Sequence, residues 1–100
     1  MATTRMKLLT IVAEEILAER LPAELRRLGA TGWTSTEARG DGARGMRTGP
    51  LPGANVRIET VVEERVAENI LALLAAEYFP NFALVAWVAD VEVVRGDKYH

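Results

Sequence analysis

Residues 39–54 read RGDGARGMRTGPLPGA, and here the sequence concentrates side chains and backbone suited to chemistry. Five of the eight glycines lie in this stretch, with two of the four prolines. Arg39, Arg44 and Arg47 stand against Asp41 alone. Glycine lets backbone N–H groups approach a ligand closely and line an anion-binding concavity. Arginine grips phosphate or carboxylate through a planar fork of donors. The pattern therefore suits an anion. Gly40–Asp41–Gly42–Ala43–Arg44–Gly45 matches G-x-G-x-x-G in form. That fingerprint binds a dinucleotide only where a helix follows at once, and Gly49-Pro50-Leu51-Pro52-Gly53 forbids one. No glycine precedes a Lys-Ser or Lys-Thr pair, so there is no Walker A loop either. The segment is sixteen residues long, whereas connections in compact domains run to about 4–6. Composition alone fits an anion-binding loop and a solvated Gly/Arg hairpin equally well.

The rest of the chain narrows the choice of chemistry. It has 100 residues, 49% apolar and 26% charged with both signs mixed, which predicts one folded domain over residues 1–100. It contains no cysteine, which excludes thiol nucleophiles, thiolate metal sites and disulfides. The only histidine, His100, stands at the last position, so a histidine-dependent triad is not expected. Any metal site would be all-oxygen, and none is expected. A net charge of −2 gives no basic field to recruit nucleic acid. The longest strongly apolar run, Leu84 to Ala89, falls far short of the roughly 20 residues that span a bilayer. With no apolar signal segment behind Arg5 and Lys7, a cytoplasmic protein is expected.

The elements that must position the segment follow from periodicity. Residues 7–13 read as a strand. Residues 15–28 carry Leu17, Leu21, Leu25 and Leu28 at helical spacing, with Gly29 as the stop. Pro22 requires that this helix either starts near Ala18 or kinks there. Residues 31–38 and 55–62 alternate as strands, the second placing Val56, Ile58 and Thr60 opposite Arg57, Glu59 and Val61. Residues 63–78 form a helix with Val66, Ile70, Leu73 and Leu74 on one face, and 82–95 a last strand. The order predicts an α+β, ferredoxin-like βαββαβ fold: a four-stranded antiparallel sheet with helices on one face. The apolar run from Phe82 to Ala89 exceeds what one helix layer needs, so the uncovered face is expected to drive self-association.

The run LGATGWTSTEARGDGARGMRTG, followed by NVRIETVV and later VEVVR, resembles the PII signalling superfamily. It is most similar to the PII-like branch containing SbtB and the carboxysome-associated PII protein. The resemblance extends from Lys7 to Arg95 and implies a homotrimer in which residues 39–54 are the T-loop. It further implies an adenine-nucleotide site in the cleft between subunits. Thr34 would lie beside the nucleotide. Gly40 and Gly42 would admit the phosphates, Arg44 and Arg47 would contact them, and Glu59 and Val61 would lie near ribose and adenine. Across the interface, Ala86, Trp87 and Val88 would flank the adenine, and Arg95 would reach a phosphate. The T-loop tyrosine of the nitrogen-regulating branch is absent, and Tyr78-Phe79-Pro80-Asn81-Phe82 is too short and apolar for a phosphate-binding B-loop. AMP, ADP or cyclic AMP is therefore expected over ATP, with bicarbonate as a candidate second ligand. The missing cysteines remove the redox-controlled loop of some SbtB proteins.

Three functions remain open at this stage. The first is a non-enzymatic sensor whose ordered loop regulates a bicarbonate transporter or a carboxysome-related protein, and which reaches membrane or carboxysome through that partner. The second is a Mg²⁺-dependent nucleotide phosphohydrolase. The third is a structural trimer that docks a shell or complex partner. Trp33 and Trp87 read equally as core or interface hydrophobes, Tyr99 and His100 as a frayed tail, and Asp90 and Glu92 as a solvated strand edge.

Overall fold

A computed structural model of the chain describes residues 1–40 and 54–95. Strand β1 (Thr4–Glu14) leads through a 3₁₀ turn (Glu15–Leu17) into helix α1 (Arg20–Arg27). Strands β2 (Thr34–Ala38) and β3 (Asn55–Val62) follow, then helix α2 (Glu64–Leu73), a π turn (Leu74–Tyr78) and strand β4 (Leu84–Val93). The four strands form one sheet in the order β2-β3-β1-β4, every neighbouring pair antiparallel. This is the ferredoxin-like βαββαβ arrangement that the element order predicts.

Strand β3 spans the predicted 55–62, and α2 with its π turn spans nearly all of the predicted 63–78; the last strand is shorter than the predicted 82–95, at Leu84–Val93, and the first helix, β2 and β1 depart further. The first helix does not run through 15–28. It begins at Arg20, so Pro22 sits in its first turn, where a missing N–H removes no intrahelical bond. Pro22 is buried there with Leu21 and Leu25. The helix ends in a Schellman motif: Gly29 takes φ 115°, Gly29 N–H donates to Arg26 O at 3.1 Å and Ala30 N–H to Leu25 O at 2.9 Å. Strand β2 starts at Thr34, not Thr31. The carbonyl of Gly32 instead accepts the Thr60 hydroxyl at 2.6 Å. Strand β1 extends at both ends of the predicted 7–13, because β4 pairs with it back to Thr4 and β3 pairs with it on to Glu14.

Register assigns each side chain to a face. Leu9, Ile11 and Ala13 of β1 share a face with Val56, Ile58 and Val62 of β3, and with Leu84 and Ala86 of β4. The helices cover that face with Leu17, Leu21, Leu25, Ala67, Ile70, Leu74 and Tyr78, and this is the core. The opposite face carries Leu8, Thr10, Val12, Arg57, Glu59, Val61, Val85 and Trp87, and among the described residues no helix covers it.

The π turn keeps Tyr78 in line with this core. Phe79 N–H reaches back five residues to Leu74 O at 2.8 Å. The fully buried Tyr78 then donates its hydroxyl to Glu24 Oε2 at 2.7 Å and locks α2 to α1. That bond holds the Glu24 carboxyl below its ordinary range, opposed by burial and assisted by Arg27, whose Nε and Nη2 donate to Oε1. Burial, and then the same bond, push the Tyr78 hydroxyl upward. Arg20 covers the Tyr78 ring at 5.0 Å.

Two outcomes follow from this packing. Tyr78→Phe should destabilise the fold by about 2 kcal/mol at pH 7, as for a hydrogen bond to a charged group. Glu24 is lowered in the folded state, so its contribution is present above its ordinary value of 4.5 and is lost as pH falls through the lower folded value. Urea unfolding of both proteins should therefore show the difference shrinking from pH 7 to pH 3. Gly29→Ala should cost about 1–2 kcal/mol in the same measurement, because a Cβ is strained at this φ and meets Val66 Cγ2 at 3.4 Å.

Candidate functional site

Those positions singled out in the sequence that are described lie on the two edge strands, just beyond their ends, or on the face opposite the helices. Thr34 opens edge strand β2 and is the register partner of Glu59 on β3. Glu59 pairs with Thr10 on β1, and Thr10 with Trp87 on edge strand β4. Thr34, Glu59, Thr10 and Trp87 thus form one row across the uncovered face. Strands lie about 4.8 Å apart, so Thr34 and Trp87 stand about 14 Å from each other. Val61 lies on the same face beside Leu8.

The middle of this row is a polar cluster in apolar surroundings. Arg57 Nη2 donates to Glu59 Oε2 at 3.3 Å, and the Thr10 hydroxyl lies 3.5 Å from the same oxygen. The Arg57 guanidinium carbon lies 5.6 Å from the Trp87 ring centroid. Thr10, between its register partners Glu59 and Trp87, is fully buried although it lies on the face opposite the helices. Val85 and Trp87 remain exposed beside it, as expected for an apolar face left open. Arg57 and Thr10 were not among the residues singled out. Alternation in NVRIETVV already puts Arg57 on the face of Glu59 and Val61, but only the register of β1 reveals Thr10.

The ends of the sheet hold the remaining positions. Arg39 and Gly40 follow β2 and are exposed. Among the described residues, a Cβ at Gly40 would meet nothing within 4 Å. Gly42, Arg44 and Arg47 lie outside the described residues. Arg95 follows β4, exposed, with φ 74°, a left-handed backbone that costs an arginine about 1 kcal/mol or more. The β2 end aligns with Glu14 through Asn55, and the β4 end with Thr4. Strand β1 has 11 residues between those rows, about 33 Å at the usual rise. Gly40 and Arg95 of one chain therefore sit at diagonally opposite corners, and one small ligand cannot touch both.

On β4, Ala86 and Val88 share the helix-covered face and Trp87 takes the other. Since β4 is an edge, part of its backbone N–H and C=O groups point outward along this run, a row suited to paired donor–acceptor recognition. Trp33 packs partly against the core, with Arg26 at 4.7 Å from its ring. Asp90 forms an ion pair with its register partner Lys7. That hydrogen bond lowers Asp90 and raises Lys7. Glu92 accepts from the Thr3 hydroxyl at 2.9 Å. These two carboxylates thus have structural partners on the strand edge. Among the described residues, no three of Asp, Glu and His gather as metal ligands, and no helix is long and apolar enough to cross a membrane.

This fold and residue pattern match a known signalling family. The family model for nitrogen regulatory protein P-II matches residues 6–98, and the chain belongs to this family. The crystal structure of a Thermus thermophilus protein assigned to PII-like signalling is 52% identical, with a TM-score of 0.86 over 100% of both chains. CPII of Thiomonas intermedia, bound to ADP and bicarbonate, is 28% identical, with a TM-score of 0.84 over 99% of this chain and 98% of its own. The same relative bound to ADP, AMP and bicarbonate matches at 25% identity and a TM-score of 0.81, over 94% of this chain and 98% of its own. The similarity supports the PII-like branch.

Proposed function

We propose that this protein is a homotrimeric PII-like regulator that binds AMP or ADP between subunits, with bicarbonate as a second ligand. The carrying observation is the diagonal separation of Gly40 and Arg95, together with the nucleotide and bicarbonate in the Thiomonas structures. In this reading Thr34, Gly40, Gly42, Arg44, Arg47, Glu59 and Val61 come from one subunit. Ala86, Trp87, Val88 and Arg95 come from its neighbour. The exposed face around Val85 and Trp87 supplies the association, and each trimer holds three clefts. The whole chain acts as one PII-like domain with residues 39–54 as its T-loop.

The arginines and loop glycines supply donors for one or two phosphates. The connection from Tyr78 to Phe82 adds apolar side chains where a third phosphate would need N–H groups, so ATP binds less well than AMP, ADP or cyclic AMP. The nucleotide shifts the T-loop only by its differential affinity for the ordered loop. A bicarbonate transporter or a carboxysome-related protein in the cytoplasm reads that state. The role is regulatory and not enzymatic.

Calorimetry with AMP, ADP, ATP and cyclic AMP, each with and without bicarbonate, should show AMP, ADP or cyclic AMP binding more tightly than ATP. No binding at millimolar nucleotide would contradict the reading. Light scattering should give three times the 11.0 kDa chain mass. Subunit mixing checks the shared cleft. Thr34→Arg, which blocks one side, and Arg95→Ala, which empties the other, should each lose ADP affinity by about 10-fold or more when present in every subunit. Co-refolded trimers of the two variants should regain high-affinity sites, because an Arg95→Ala chain still offers an intact β2 side to a Thr34→Arg neighbour.

A further inference from the structure

Glu14 is the one buried acidic side chain among the described residues, at 7% exposure. It ends β1 on the face opposite the core, where Ala13 already fills the adjoining helix-side position. Packing alone would accept an apolar residue there. A carboxylate adds a charge-assisted acceptor, and Glu14 Oε2 takes the Ala83 N–H at 2.6 Å.

The location gives that bond its meaning. The β1–β4 ladder ends at Ala13 opposite Leu84, because the chain turns into the 3₁₀ segment at Glu15. Ala83 stands one residue before the ladder, so the Glu14 side chain takes over where backbone pairing stops. On its other flank Glu14 is the register partner of Asn55, and Asn55 of Ala38. Ala38 and Asn55 are the residues at which β2 and β3 end beside segment 39–54. One row therefore joins both stems of that segment to the entry of β4.

We infer that Glu14 is a positioning residue for the nucleotide site, fixing the start of β4 to the row that carries both stems of segment 39–54. The inference rests on the proposed nucleotide reading and deepens it. There the stems belong to one cleft and residues 86–88 to the next, so Glu14 holds in register the two halves that one chain contributes to different clefts.

The experiment compares full-length wild type, Glu14→Gln and Glu14→Met. Gln keeps an acceptor oxygen, and Met keeps the volume without one. ADP calorimetry is run well below the melting temperature, and amide exchange is followed without ligand. Glu14→Gln should bind ADP within about 2-fold of wild type, whereas Glu14→Met should bind about 5-fold or more weakly, the lower end of usual coupling between linked sites. Exchange at Ala83 and Asn55 should quicken at least about 10-fold in Glu14→Met, with Ile70 in α2 unchanged. If Glu14→Met does not fold, Glu14→Ala replaces it under the same expectations. Faster exchange with unchanged ADP affinity overturns the positioning role and leaves the nucleotide reading standing. Wild-type exchange at Ala83 in the variant overturns the clamp itself. Failure of wild type to bind ADP overturns the nucleotide reading, and the role with it, while the exchange result still decides the clamp.

Discussion

The antiparallel order β2-β3-β1-β4 is the constraint on which the rest depends. It makes β2 and β4 the two free edges and sends their C-terminal ends to opposite corners of the sheet. With both helices on one face, the other keeps an apolar surface interrupted by Arg57, Glu59 and Thr10. A chain of this size has one core and no second layer to cover that surface. In the proposed trimer, association covers that surface and brings one chain's β2 end within reach of another chain's β4. The uncovered face and the proposed division of the site between chains both follow from one topology.

The fold was largely legible because its signals are local. Alternation marked β3 to the residue, and the Ala/Leu/Glu run marked the second helix. Gly29 marked the end of the first helix, and Pro22 pointed correctly to a late start. What escaped the sequence depends on partners distant in the chain. Strand β1 lengthens because β4 pairs along it, and β2 shortens because Thr60 takes the Gly32 carbonyl. The π turn at Leu74 has no marker in AAEY and becomes intelligible only through the buried Tyr78 and its bond to Glu24.

The candidate site was legible in a different measure. Thr34, Glu59 and Trp87 come from separate strands, and only register reveals that they share one row. Arg57 was visible in the alternation of β3, yet its contact with Trp87 needs the β1–β4 pairing to carry that ring beside it. Glu14 carried no signal at all, since a glutamate before Glu15 reads as solvated charge until Ala83 is placed against it. The glycines and arginines of the long segment suit an anion by type and a solvated hairpin equally, and Gly42, Arg44 and Arg47 lie outside the described residues.

The central claim is that one nucleotide is held by two chains. A crystal structure with ADP and bicarbonate tests it most directly. The account predicts ADP lying between the β2 end of one subunit and the run Ala86 to Val88 of its neighbour, with the neighbour's arginine at position 95 toward the phosphates. ADP enclosed by a single chain, or seated on the helix-covered side away from both edges, would contradict it.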